Sequence, residues 1–317
     1  MPLAEFSLIE KYFSTLGPAR SDVLLAVGDD AAQVVLPPNM TLVAAIDTMV
    51  AGVHFPENTS AVDVGYKLLA VNLSDIAAMG AEPTWFTLAL TLPHSDEAWL
   101  AGFASGMSDL AQRHQVQLVG GDTTKGPMVL SLQAQGLVPE AECLRRSGAT
   151  SGDNIYVTGC VGDAALGLKV ALQGAAYPDR GYLLNRLNRP IPRVEIGVAL
   201  RGVASSAIDI SDGLLADLGH ICRQSGVAAQ LDLNQLPLSA AYRSASVGID
   251  VALSGGDDYE LCFTAGVAHH QHIQQLAQQY NCPINCIGKM VEGEGIHCFL
   301  DNQPYQAEKR GYQHFSG

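Results

Sequence analysis

Arg145-Arg-Ser-Gly-Ala-Thr-Ser-Gly-Asp153 is a polar, glycine-bearing stretch with a run of strand and helix patterns on each side. That alternation restarts after it, which is how a linker between two separately cored domains reads. Toward the N-terminus, Val129 to Leu137 has the alternation of a strand. Gln117-Leu-Val119 is a short strand entering Gly120-Gly-Asp122, and Asp96 to Gln115 has helical periodicity behind the N-cap candidate Ser95. Further back, Thr84 to Leu92 reads as a strand. Residues 61 to 79 read as a helix with Val64, Leu68, Val71 and Ile76 on one face, stopped by Gly80. Thr41 to Ile46 predicts a buried strand with Asp47 at its carboxyl end, and Ser7 to Leu16 a short helix ended by Gly17-Pro18. Toward the C-terminus, Ile155-Tyr-Val-Thr158 is a strand, a helix starts at Asp163, and Ala207-Ile-Asp-Ile210 leads through Ser211-Asp-Gly213 into a helix. Purely parallel βαβ spacing is absent. The expectation is an α+β chain of two mixed α/β domains, residues 1–150 and 151–317.

The length of 317 residues agrees with two domains. Hydrophobic residues make up 48%, enough to form cores without disulfides. The seven cysteines are odd in number and scattered, so neither a disulfide framework nor a zinc site is expected. Lys and Arg total 18 against 32 acids, a net charge of −14, which repels nucleic acid and anionic lipid. Residues 1–10 have no basic n-region and no apolar run is long enough to span a bilayer, so the expected location is cytoplasmic.

Several catalytic signatures are missing. Gly162-Asp-Ala-Ala-Leu-Gly167-Leu-Lys169 departs from a phosphate-binding P-loop at its end. Gly159-Cys-Val-Gly162 lacks the full dinucleotide spacing, so this turn is read as a structural helix start. No Gly-x-Ser-x-Gly is present, and Ala268-His-His-Gln-His272 reads as a solvated helix face. What remains is a set of aspartates in polar or glycine-rich settings: Gly28-Asp-Asp-Ala31, Ile46-Asp47-Thr48, Asn72-Leu-Ser-Asp75, Gly120-Gly-Asp122-Thr-Thr124 and Ile208-Asp209-Ile-Ser-Asp212-Gly213. Taken alone, each aspartate can simply brace its own turn. Together, in a chain with only 16% charged residues, they suit Mg²⁺, which prefers hard carboxylate oxygens and keeps waters and substrate phosphates in its shell.

These blocks resemble thiamine-monophosphate kinases, within the wider group related to aminoimidazole ribonucleotide synthetase. The resemblance runs through Glu5-Phe-Ser-Leu-Ile9, Gly28-Asp-Asp30, Asp47-Thr48 with Ala51-Gly-Val-His54-Phe55, and Val71-Asn-Leu-Ser-Asp75-Ile-Ala-Ala-Met-Gly-Ala81. It continues through Gly120-Gly-Asp122-Thr-Thr124, Arg146-Ser-Gly148, Ile208 to Leu214, Ser254-Gly-Gly-Asp-Asp-Tyr-Glu-Leu261 and Lys309-Arg-Gly-Tyr312. It implies Mg²⁺-dependent transfer of the ATP γ-phosphoryl group to thiamine phosphate, in a homodimer formed through the N-terminal sheet, with the site between the domains. By the same resemblance Asp30, Asp47, Asp75, Asp122, Asp209 and Asp212 are magnesium ligands. Gly121, Asp122, Arg146 and Ser211 contact ATP, and His54, Asp257 and Tyr312 contact thiamine phosphate. Asp29 either supports Asp30 or holds its turn.

Two positions depart from the family pattern. Ala45-Ile46 replaces a hydroxyl residue before Asp47, leaving only backbone carbonyls there, and Asp257 stands where relatives often have Glu. A phosphate monoester acceptor is already anionic and needs no strong base, which accords with the missing Ser-His and Cys-His arrangements. A sibling enzyme acting on another phosphorylated or amide substrate is the alternative. A metal-buffering protein is disfavoured because no Asp-x-Asp-x-Asp-Gly loop occurs.

Overall fold

The computed structural model describes residues 5–308 with Gly311 and Tyr312. Its chain divides into two compact units. One runs to Ile76 and resumes over Ala81–Ala141; the other is Ala77–Gly80 with the chain from Glu142 onward.

The first unit carries α1 (Glu5–Tyr12), β1 (Val23–Leu25), β2 (Gln33–Val34), β3 (Met40–Val50), most of α2 (Ala61–Ala78), β4 (Glu82–Leu92), α3 (Glu97–His114), β5 (Gln117–Lys125) and β6 (Val129–Pro139). Its main sheet has the order β3-β6-β4-β5, antiparallel except for the β4/β5 pair. The predicted apolar face of α2 is buried: Val64, Leu68, Val71 and Ile76 are at most 3% exposed. Helix α3 starts one residue later than expected, because Asp96 rather than Ser95 caps it by accepting from the amides of Ala98 and Trp99. Helix α1 stops at Tyr12, short of the expected Leu16. The chain from Gly17 instead lies so close to β5 that a Cβ on Gly17 would sit 2.1 Å from the Val116 carbonyl oxygen.

Two strands outrun their sequence patterns. Strand β3 continues to Val50, so Asp47 lies inside it and pairs in register with Leu132 of β6. Strand β5 runs through Gly120-Gly-Asp122, which is extended ladder opposite β4 rather than a turn. Gly121 is obligatory there: an added Cβ would stand 2.0 Å from the Leu88 carbonyl oxygen.

The second unit holds β7 (Asn154–Thr158), α4 (Asp163–Gln173), α5 (Arg180–Asn188), α6 (Val194–Ala199), β8 (Ser206–Asp209), α7 (Leu214–Ser225), β9 (Ala228–Asp232), α8 (Ala240–Ser244), α9 (Asp250–Ser254), β10 (Leu261–Ala265), α10 (His270–Gln279), β11 (Ile284–Val291), β12 (Ile296–Leu300) and β13 (Gln303–Tyr305). Its seven strands are ordered β13-β12-β9-β11-β7-β10-β8, with β12/β9 the parallel pair. Ile155, Val157, Ile208, Leu214, Leu218 and Ile287 are nearly solvent-free in its core. The fold is α+β, built from two mixed α/β units. Among the described residues no helix is long and apolar enough to cross a membrane.

Candidate active site

In the first unit the acidic residues arrive from regular elements. Strand β3 alternates, so Val43, Ala45, Asp47 and Met49 share its more covered side, while Ile46 on the other face is 63% exposed. Asp47 thus turns away from Ile46, and any ligand contribution at positions 45 and 46 is confined to their carbonyls. Asp75 lies within α2, inside the stretch whose periodicity predicts a helix. The Asp47 and Asp75 carboxyls lie within hydrogen-bonding reach. Burial raises the Asp47 pKa above the usual carboxylate range, and the bond to Asp75 pulls it part of the way back. Asn72, fully buried, locks the pair's geometry: its Nδ2 donates to the Leu68 carbonyl (2.9 Å), and its Oδ1 accepts from the Asp47 amide (3.1 Å). Two facing carboxylates repel unless a proton or cation lies between them, so this pair is chemically suited to Mg²⁺.

The other residues of this unit are more open. Asp30 is exposed, and its amide donates to the Asp29 carboxylate at 2.8 Å, so Asp29 holds the turn. Asp122 is exposed on β5, next to the glycine whose missing side chain permits strand pairing. His54 closes the loop after β3. Its Nδ1 accepts from the Val50 amide at 3.0 Å and its own amide donates to the Val50 carbonyl at 2.9 Å, which leaves the neutral ring's proton on Nε2. A narrow apolar slot lined by Ile9, Phe13, Leu88, Leu118 and Gly120 adjoins Gly121 and Asp122.

In the second unit the acids converge on a single turn. Asp209 ends β8, 4% exposed, and Ser211-Asp212-Gly213 leads into α7. Asp217, one turn into the helix and 3% exposed, folds back and accepts from the amides of Ser211, Asp212 and Gly213 at 3.0, 3.1 and 3.1 Å. Burial, reinforced by the charges of Asp209 and Asp212, pushes its pKa up to about 7. Gly213 has φ 118°, and a Cβ there would lie 2.8 Å from the Ser254 carbonyl carbon.

Residues 254–260 pack against this turn. The Asp257 amide donates to the Ser211 carbonyl (2.9 Å), and Tyr259 and Glu260 bond in register with Ile210. Asp257 and Tyr259 have φ of 70° and 50°, each a cost of about 1–3 kcal/mol that the surroundings must offset. Alternate residues supply the anchors. Asp258, buried and pushed up to about 8 by that burial, accepts from the amides of Gly162 (2.6 Å) and Ala164 (3.3 Å). Glu260 is bound by Arg193 through two bonds of 2.6 Å, by Arg186 at 2.9 Å and by Thr158 at 2.7 Å.

The Gly159–Gly162 turn is therefore structural, as its sequence suggested. A protein carboxylate occupies the start of α4, and a Cβ on Gly162 would meet the Tyr242 ring at 2.6 Å, so no phosphate cradle exists there. The histidines opening α10 lie mostly exposed, and His270 shares a 3.0 Å bond with the Tyr156 hydroxyl.

Arg146 is exposed, with its carbonyl tied to the Ser225 hydroxyl at 3.3 Å. Tyr312 is half exposed. Its amide donates to the Asp212 carbonyl (3.0 Å), and it borders a cavity of about 960 Å³ with Leu215, Gly219 and Arg223 of α7 and Ile296 and Cys298 of β12. Lys309 and Arg310 of the same motif lie outside the described residues. Among the described residues no three His, Cys, Asp or Glu side chains converge tightly enough to hold a metal by themselves, and Mg²⁺ completed by waters and phosphates does not require three.

Sequence reading missed Asn72, Asp217, Asp258, Tyr259 and Glu260 as site-building residues. An acid in the first turn of a helix that follows a glycine was the available signal for Asp217. The positions of Asp258 and Glu260 directly before an apolar strand gave no hint that both are buried.

The fold and these carboxylate-bearing segments define a class. Residues 28–138 match the family described as AIR synthase related protein, N-terminal domain, and residues 150–301 match its C-terminal domain. The thiamine-monophosphate kinase of Escherichia coli (strain K12) is 47% identical over 324 aligned positions, covering 100% of this chain and 99% of its own. The crystal structure of the thiamine-monophosphate kinase of Stenotrophomonas maltophilia K279a superposes with a TM-score of 0.86 at 46% identity, covering 96% of this chain and 99% of that one. A structure described as AaThiL complexed with AMPPCP and TMP superposes with a TM-score of 0.78 at 31% identity, covering 92% of each chain. The chain belongs to the thiamine-monophosphate kinase family.

Proposed function

We propose that this protein transfers the γ-phosphoryl group of ATP to thiamine monophosphate, yielding thiamine diphosphate in thiamine biosynthesis. The observation that carries this is the 47% identity to a thiamine-monophosphate kinase across the whole of both chains. The site supports it with facing carboxylates and glycine-flanked acids.

Asp30, Asp47, Asp75 and Asp122 in the first unit and Asp209 and Asp212 in the second would hold magnesium, which when bound would neutralise the crowded charge of the two phosphate groups. The protein's own task is then to position the reactants. Gly121 and Asp122 on β5 contact the nucleotide, and Ser211 offers its hydroxyl beside the Asp217-braced turn. Arg146 supplies an exposed guanidinium for phosphate oxygens. On the acceptor side His54 offers Nε2–H, Asp257 a carboxylate and Tyr312 an aromatic face. The acceptor phosphate is anionic at neutral pH, so none of these residues has to remove a proton from it.

The chain is assigned to a homodimer joined through the first unit's sheet. Strand β3 is an edge strand of eleven residues whose outer face exposes Leu42 (44%) and Ile46 (63%). Seven free cysteines suit the reducing cytoplasm. Incubation with ATP, Mg²⁺ and thiamine phosphate, with the thiamine species resolved chromatographically, tests the activity. Thiamine diphosphate should appear only when all three are present, and its absence with folded, ATP-binding protein would reject the assignment.

A further inference from the structure

Near the end of α7, Arg223 Nη2 donates to His220 Nδ1 at 3.1 Å, one turn away. A guanidinium cannot accept, so this bond makes His220 the neutral tautomer with its proton on Nε2. Burial, aided by the charges of Arg223 and Arg146, lowers the His220 pKa against the pull of Asp212. Arg146 belongs to the same corner. The Ser225 hydroxyl in the last turn of α7 donates to the Arg146 carbonyl at 3.3 Å and accepts from the Gly148 and Ala149 amides, both at 3.2 Å. Among the described residues neither Arg146 nor Arg223 pairs with a carboxylate, in a chain with 32 acids against 18 lysines and arginines. Two open guanidiniums on one corner of so acidic a protein suit an anion brought from outside.

The cavity of about 960 Å³ runs along α7, from Asp212 in the turn before it to His220 and Arg223 in its last two turns. The helix's 12 residues span about 18 Å, comparable to the reach of an extended nucleoside triphosphate. Ser211 and the tethered Arg146 loop, both placed on ATP above, stand at its opposite ends. We infer that Arg223 is a further nucleotide-binding residue, contacting ATP at its nucleoside and α-phosphate end, and that His220 is the positioning residue that holds the guanidinium there. The inference rests on the assignment of Ser211 and Arg146 to ATP. The transferred phosphate belongs at the Ser211–Gly213 turn, beside the aspartates assigned to magnesium. The far end of α7 then receives the part of the nucleotide that does not react. His220 engages one N–H of Arg223 and leaves the rest of the fork for phosphate oxygens.

Calorimetric titration of the full chain with Mg·ATP, Mg·ADP and thiamine phosphate tests this in Arg223→Gln, Arg223→Lys, His220→Phe and the Arg223→Gln/His220→Phe double variant. Arg223→Gln should weaken Mg·ATP and Mg·ADP alike, about tenfold, and leave thiamine phosphate binding unchanged. Its ligand-free Tm should stay near that of the parent, because the side chain is exposed. Arg223→Lys should recover part of the loss, since the charge returns without the fork. His220→Phe keeps a ring in place and should weaken Mg·ATP about threefold, and the double variant should match Arg223→Gln alone. An unchanged Kd for Mg·ATP in Arg223→Gln overturns the inference and leaves Arg223 to complement the dipole at the helix end. A loss confined to Mg·ATP, with Mg·ADP unaffected, moves Arg223 to the γ-phosphate and overturns its placement. A loss of thiamine phosphate affinity instead gives the cavity to the acceptor and overturns it too. Additive effects in the double variant overturn the positioning role of His220. These affinities are read without turnover, so a parent protein that binds Mg·ATP but forms no thiamine diphosphate rejects only the proposed reaction.

Discussion

The two units present their carboxylates by different means. In the first, Asp47 and Asp75 come from separate regular elements, a strand and a helix, and a neutral amide, Asn72, joins them. In the second, Asp209 and Asp212 flank one tight turn braced by buried carboxylates. Asp217 gathers three amides there, and Asp258 anchors the loop packed against it. An amide clamp holds its geometry at any pH. A buried carboxylate clamp is pH-sensitive, because burial favours its protonated form. Strand–helix packing therefore governs the first presentation, and turn chemistry governs the second.

The largest effect expected is at the facing pair. Asp75→Asn should lower kcat by roughly a hundred- to a thousandfold, as losing several kcal/mol of charge stabilisation requires, with Tm little changed. Near-normal turnover at saturating Mg²⁺ would remove Asp75 from the ligand set. Next comes the brace of the second turn. Asp217→Ala takes the acceptor from three amides, that of Gly213 buried and those of Ser211 and Asp212 part-buried, and should destabilise by about 2 kcal/mol or more in denaturant unfolding, whereas Asp217→Asn retains an acceptor oxygen and should lose far less. Equal losses in the two variants would show that the three amide bonds are not what holds the turn.

Asn72→Ala should be milder, about 1–2 kcal/mol, with a loss of activity larger than its stability cost explains, because Asp47 loses its tether. A variant with normal kcat would show that β3 positions Asp47 unaided.

The smallest effect separates the clamps by pH. The folded-state pKa of Asp258 is raised above its unfolded value, to about 8. Its contribution to stability is thus fully present below the unfolded carboxylate pKa, near 4, and is lost as pH rises through about 8. Tm of the parent protein should fall between about pH 5 and pH 9, and Asp258→Asn should flatten that fall, while Asn72→Ala leaves its slope alone. Parallel slopes for parent and Asp258→Asn would place the pH sensitivity elsewhere.

Periodicity alone exposed the buried face of α2, because Val64, Leu68, Val71 and Ile76 repeat at the helical period. It misjudged β3 and β5, where Asp47-Thr48 and Gly120-Gly-Asp122 look like chain breaks. Their extended conformation comes from ladder pairing with β6 and β4, residues distant in sequence. The candidate site divides the same way. Its aspartates stood out by their polar and glycine-rich settings, but the residues that position them did not.

By itself the sequence determined the α+β class and the family, and it singled out the aspartates proposed as ligands. These follow from local patterning, composition and short motifs that each lie within one stretch of chain. Only the tertiary structure decided that Asp75 faces Asp47 from inside a helix, that Asp217 braces the Ser211–Gly213 turn and that Asp258 fills the start of α4. Each of these is a bond between groups whose burial and direction are set by packing, and no pattern within one segment encodes which distant amide a buried carboxylate will meet.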